Sequence, residues 1–77
     1  MPWYSYTPIT IPGNICDPNN YTLVGIFPPI CPSPKVRLCA VQALDSMGKP
    51  ILTFALLCEI ATAMQNRMES TNVLLRP

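Results

Sequence analysis

The stretch from Ser33 to Glu69, SPKVRLCAVQALDSMGKPILTFALLCEIATAMQNRME, decides how this chain is read, because it holds two apolar runs parted by Met47-Gly48-Lys49-Pro50. A serine hydroxyl can accept a free first-turn amide, and proline at the first helical position sacrifices no hydrogen bond, so Ser33-Pro34 reads as a helix start. Gly48 can close a last turn in the left-handed conformation, and Pro50 cannot continue the same ladder but can open a new one. Val36, Cys39, Ala40, Ala43, Leu44 and Met47 recur at helical spacing before the break, and Phe54, Leu57, Cys58, Ala61, Met64 and Met68 do so after it. The expected fold is mainly α: a Pro-rich extended arm over 1–33, a short antiparallel helical hairpin with helices over 34–47 and 50–69, and a tail over 70–77.

A β reading competes. Asp45-Ser46-Met47-Gly48 also suits a type I turn with glycine in the bulge position, which gives a β-hairpin over 36–57 followed by one C-terminal helix. The helical reading is preferred because Ala, Leu, Met, Gln and Glu dominate and β-branched residues are few. In either geometry Cys39 and Cys58 sit symmetrically about Gly48-Lys49. That makes Cys39–Cys58 one candidate disulfide and leaves Cys16–Cys31 as the other, with Cys39 and Cys58 as two buried free thiols acting as small hydrophobes the plain alternative.

Composition points outward. The chain has 77 residues, 49% of them hydrophobic and only 12% charged, and most of its ten prolines lie before Lys35. So small a foldable portion usually needs disulfides, a metal or a partner. Two thin helices cannot hide Leu38, Val41, Leu52, Ala55, Leu56 and Ile60 in addition to the stripe they turn toward each other, so these residues are candidates for an interface. Protein subunits of a larger assembly, or further copies of the chain, are the expected partners.

The net charge of +1, carried by scattered Lys35, Arg37, Lys49, Arg67 and Arg76, argues against nucleic acid and anionic lipid. The longest apolar run, Ile51 to Cys58, falls well short of the ~20 residues a membrane span needs. Met1-Pro2-Trp3 has neither a basic start nor an apolar core of the signal-peptide kind, so the expected location is the cytoplasm, a virion or the mitochondrial intermembrane space.

Within the arm, Trp3, Tyr4 and Tyr6 supply large contact area beside proline and are interface candidates. Pro12-Gly13-Asn14 and Asp17-Pro18-Asn19-Asn20 are turn signals that place Cys16 in a loop. Tyr21 to Phe27 is the one arm segment with strand character. Its Tyr21, Leu23, Ile26 and Phe27 suit main-chain addition to a partner's sheet edge. Three weaker patterns overlap it or follow it: the PxxP spacing Pro29-Ile30-Cys31-Pro32, the tyrosine sorting pattern Tyr21-Thr22-Leu23-Val24, and the glycosylation sequon Asn20-Tyr21-Thr22.

Catalytic chemistry finds little footing. The chain has no histidine, its carboxylates Asp17, Asp45, Glu59 and Glu69 are dispersed, and its glycines are too far apart for a phosphate loop. The cysteines lack the close pairs of a zinc site. The sequence is therefore read as a non-enzymatic small structural subunit of a viral particle or a multi-subunit organellar complex, with its hairpin in a groove and its arm across neighbours. It implies no cofactor, metal or small-molecule substrate. The alternatives are a soluble adaptor presenting the PxxP or Tyr21 motif and a small secreted disulfide-stabilised protein.

Overall fold

The computed structural model describes residues 1–8 and 14–77 and shows a four-stranded antiparallel sheet with a single helix. The strands of this sheet are β1 (Trp3–Tyr6), β2 (Tyr21–Gly25), β3 (Arg37–Gln42) and β6 (Val73–Arg76), in the spatial order β2-β1-β3-β6. A small second ladder pairs β4 (Asp45–Ser46) with β5 (Lys49–Pro50), and α1 (Phe54–Asn66) packs against β3 and β6.

The expected mainly-α hairpin is thus overturned, and the alternative of a β-hairpin followed by one C-terminal helix fits. Its reversal is confined to 45–50, where Met47 and Gly48 both take positive φ. That is the two-residue mirror-image turn that matches strand twist, in place of a type I turn with a bulge. Ser33-Pro34 starts no helix; it lies in the crossover from β2 to β3 as a cis peptide. Residues 34–47 looked helical because β3 is a central strand buried on both faces, so its apolar residues do not alternate. Leu38 and Val41 face α1, while Ala40, on the opposite face, is equally buried. Cys39 adds to the disguise. It is the extra residue where the register slips between Leu38 and Ala40, and a bulge shifts the period by one.

The arm and the tail are not appendages. β1 is central, pairing Tyr4 with Leu23 on one side and Val41 on the other, and the tail contributes β6 through Val41↔Val73 and Leu38↔Leu75. Tyr4, Tyr21, Leu38, Val41, Val73 and Leu75 form the core with Leu56, Ile60 and Ala63 of α1. The helix therefore buries Leu56 and Ile60 of the expected interface face, while Phe54 and Cys58 of the expected stripe point to solvent. Because α1 is apolar on more than one side, its partner chooses the buried face, and that partner is a sheet.

α1 is shorter than the expected 50–69. The Thr53 hydroxyl accepts from the Leu56 amide at 3.1 Å, which fixes the start. Arg67 in the left-handed conformation ends it, with Met68 N–H donating to the Ala63 carbonyl at 3.1 Å. Glu59 then fastens the helix to the turn feeding β6, accepting from the Ser70 hydroxyl, from Asn72 N at 2.9 Å and from Asn72 Nδ2 at 3.1 Å. Partial burial pushes the Glu59 pKa up, but these donors outweigh it and hold the carboxyl below its ordinary range.

The one disulfide among the described residues joins Cys31 to Cys39, not the expected Cys39–Cys58 and Cys16–Cys31. With 39 on a strand and 58 on the solvent side of α1, the symmetry about Gly48 that suggested their pairing does not exist. Cys16 and Cys58 are free and exposed. The bridge ties the crossover, which must pass β1 to reach β3, to the bulge of β3. Part of the Pro12-Gly13-Asn14 turn signal lies outside the described residues.

Candidate functional site

A sheet with two outer strands has two edges, and each edge strand turns alternate N–H and C=O groups outward. The register here fixes which ones. On β6, Val36 N–H donates to the Arg76 carbonyl at 2.8 Å, so Arg76 faces β3 and its neighbour Leu75 faces out.

The outward groups of β6 are all taken. Leu75 N–H donates to Glu69 Oε2 at 3.0 Å, and the Leu75 carbonyl accepts from Lys35 Nζ at 3.4 Å. Lys35 and Glu69 are themselves ion-paired at 3.1 Å. One step along, Val73 exchanges both backbone bonds with Ser70, at 3.1 and 3.4 Å. Nothing is left for another strand to pair with.

The β2 edge differs. Thr7 N–H donates to the Asn20 carbonyl at 2.7 Å, which makes Thr7–Asn20 and Ser5–Thr22 the bonded pairs and turns Tyr21 and Leu23 outward. Tyr21 is covered: its N–H reaches the Pro18 carbonyl, and its own carbonyl accepts from Lys49 Nζ at 3.2 Å. Leu23 has no such partner among the described residues. The strand then runs into a solvent-facing apolar series, Leu23, Val24, Ile26 at 76% exposure, Phe27 at 75% and Ile30 at 98%. An unguarded edge thus continues directly into exposed large side chains.

The sequence-derived interface candidates divide between this surface and the core. Leu23, Ile26 and Phe27 lie on the open side, whereas Trp3, Tyr4, Tyr21, Leu38, Val41, Leu56 and Ile60 are buried within the chain and Tyr6 and Leu52 are half-buried. Burial has chemical consequences for the tyrosines. Loss of solvent, with the hydrogen bond to Asp45 and its charge, pushes the Tyr4 hydroxyl up to about 12. Burial likewise raises Tyr21, whose hydroxyl donates to the Ile15 carbonyl at 2.8 Å.

The short linear motifs meet the same geometry. Tyr21 is fully buried, so the sorting pattern is not presented. Asn20 is buried with its Nδ2 donating to the Asn14 carbonyl at 3.0 Å, so the folded sequon withholds its acceptor nitrogen. Cys31 of the PxxP segment is held in the disulfide. Val24 and Ile30, absent from the sequence-derived set, belong to the open surface. Their signal was contiguity with Leu23, Ile26 and Phe27.

Among the described residues no helix is long and apolar enough to cross a membrane, and no group of three metal-ligating side chains comes together. The chain matches no protein-family profile, and comparison with curated proteins and with solved structures finds no significant counterpart.

Proposed function

We propose that this chain is a non-enzymatic interaction subunit of a larger protein assembly, docking through the β2 edge and the apolar segment that follows it. The observation that carries the reading is the unequal treatment of the two edges: β6 is fully guarded, while β2 leaves Leu23 open beside Val24, Ile26 and Phe27. A partner strand added there gains main-chain bonds to Leu23 and covers the exposed side chains. The expected helical plug and free arm are not part of this reading, since the same residues form the sheet and the helix packed on it.

The test compares the wild-type chain with an Ile26→Lys/Phe27→Lys variant, each purified from its native source with cross-linking. Wild type should come away with a protein cross-linked near Leu23 to Ile30, or with a second copy of itself. The variant should lose that product while keeping its melting temperature, because both side chains are already solvent-facing. A wild-type chain that sediments as a lone monomer and yields no cross-link there would refute the proposal.

The Cys31–Cys39 bridge favours a second reading, a small disulfide-stabilised protein of an oxidising compartment. Mass spectrometry of the native material decides it: a reduced Cys31–Cys39 pair would exclude it.

A further inference from the structure

Away from the open edge, at the end of the sheet where β3 begins and β6 finishes, a cleft of about 280 Å³ is bounded by strand ends, by Ile15 and by Met64 of α1. Leu38 and Met64 form part of its wall, Tyr6, Pro8 and Ile15 add to it, and Arg37 and Arg76 are the other described residues that line it. Of the described residues that line it, all but Arg37 and Arg76 are buried or half-buried, so the two arginines are its solvent-exposed members.

The arginines are an anomaly. Arg37 and Arg76 are direct register partners on neighbouring strands, a placement in which like charges repel. Among the described residues no carboxylate side chain answers their charge. Asp17 accepts from Asn19 N–H, Asp45 from the Tyr4 hydroxyl, and Glu59 from Ser70 and Asn72, while Glu69 pairs with Lys35. Among the described residues no ion pair involves either arginine, and residues 9–13 hold no Asp or Glu. Two unanswered guanidiniums beside apolar walls select a ligand with two properties: an anionic end that accepts from both forks and a short apolar body. A cleft of this volume lies just below the usual range for small-molecule sites, which limits the body to a short chain or one ring.

We propose that this cleft binds a small apolar monocarboxylic acid, with its carboxylate between Arg37 and Arg76 and its tail against Leu38, Met64 and Ile15. The site is separate from the β2 edge, so either can fail without the other. The experiment titrates the intact, oxidised chain with sodium octanoate by calorimetry and by amide chemical shifts. Octylamine, which keeps the tail and reverses the charge, and inorganic phosphate, which keeps an anion and drops the tail, are the comparators.

Octanoate should bind saturably, with shifts clustered at Leu38, Met64 and Arg76. Arg37→Gln and Arg76→Gln should each weaken binding at least tenfold. Both variants should fold, because each removes one member of a repelling pair; the wild-type shift map reads the site independently of them. Octylamine binding as tightly as octanoate, phosphate competing as well as octanoate, shifts elsewhere, or unchanged affinity in both variants would each overturn the assignment.

Discussion

The two edges of the sheet are built from similar material and treated in opposite ways. β6 carries Val73, Leu74 and Leu75, and β2 carries Leu23 and Val24, so neither strand is blunted by its own composition. Protection on the β6 side comes from elsewhere in the chain: a lysine from the crossover, a glutamate from beyond α1 and a serine from the turn. On the β2 side, among the described residues, only the first strand residue receives such a guard, from Lys49. An edge left bare is the usual route to unwanted pairing, and natural sheets cover it in several ways. A chain that guards one edge at three points and leaves the other open beside exposed Ile26 and Phe27 has the asymmetry that the proposed docking through β2 requires.

The strongest way to break this comparison is to make the same truncation on both strands. Leu75 is fully buried and Leu23 is 48% exposed. Leu75→Ala should cost about 2–5 kcal/mol of stability, since it leaves a core cavity. Leu23→Ala should stay within about 0.5 kcal/mol, as exposed substitutions do. Denaturant melts of the two variants check it. Equal losses would mean that β2 is already part of a closed core and has no free side.

A smaller effect separates the two sides by pH. The guarded side depends on Glu59 as well as Glu69, because Glu59 holds α1 to the turn that leads into β6. Its carboxyl titrates below the ordinary value in the folded chain, so the stability it adds is present above the ordinary carboxylate pKa and is lost as pH falls through that value and then through the lowered one. Glu59→Gln should cost about 1–2 kcal/mol at neutral pH, discounted for its partial exposure, and should flatten the acid limb of the stability profile. Amide exchange on acidification should rise first at Asn72 to Leu75, with β2 lagging. Unchanged acid stability in the variant would show that the fastening is ornamental.

Much of this arrangement was hidden in the sequence for physical reasons. The chain reversal at Met47-Gly48, though not its turn type, a helix within 50–69 and, as far as Gly25, the strand character of Tyr21 to Phe27 were legible, because each is set by local chemistry. β3 was not: a strand covered on both faces and interrupted at Cys39 carries no period-two signal, and its Ala and Leu content favours helix. The arm hid β1, since Trp3 to Tyr6 is too short to announce a strand between prolines. For the sites, the exposed run after Leu23 could be read from contiguity. The guards Lys35 and Glu69 could not, and neither could the meeting of Arg37 with Arg76, because topology alone brings these residues together.

The subtlest change opens the guarded edge while leaving charge alone. Lys35→Ala/Glu69→Ala removes one positive and one negative group, so the net charge of +1 is preserved and any change in association cannot be ascribed to it. The pair is partly exposed, with side-chain exposures of 26% and 32%, so its loss should cost less than about 1 kcal/mol. Both outward groups of Leu75 would then be bare, as those of Leu23 already are, while Val73 keeps its exchange with Ser70. A single freed residue offers only two main-chain bonds, so the expected result is a modest, concentration-dependent rise in sedimentation coefficient above wild type. The rise should persist when Ile26→Lys/Phe27→Lys disables the other side. If the variant sediments as wild type does at every concentration, the guards on β6 are not what keeps that edge unpaired, and the contrast between the edges loses its meaning.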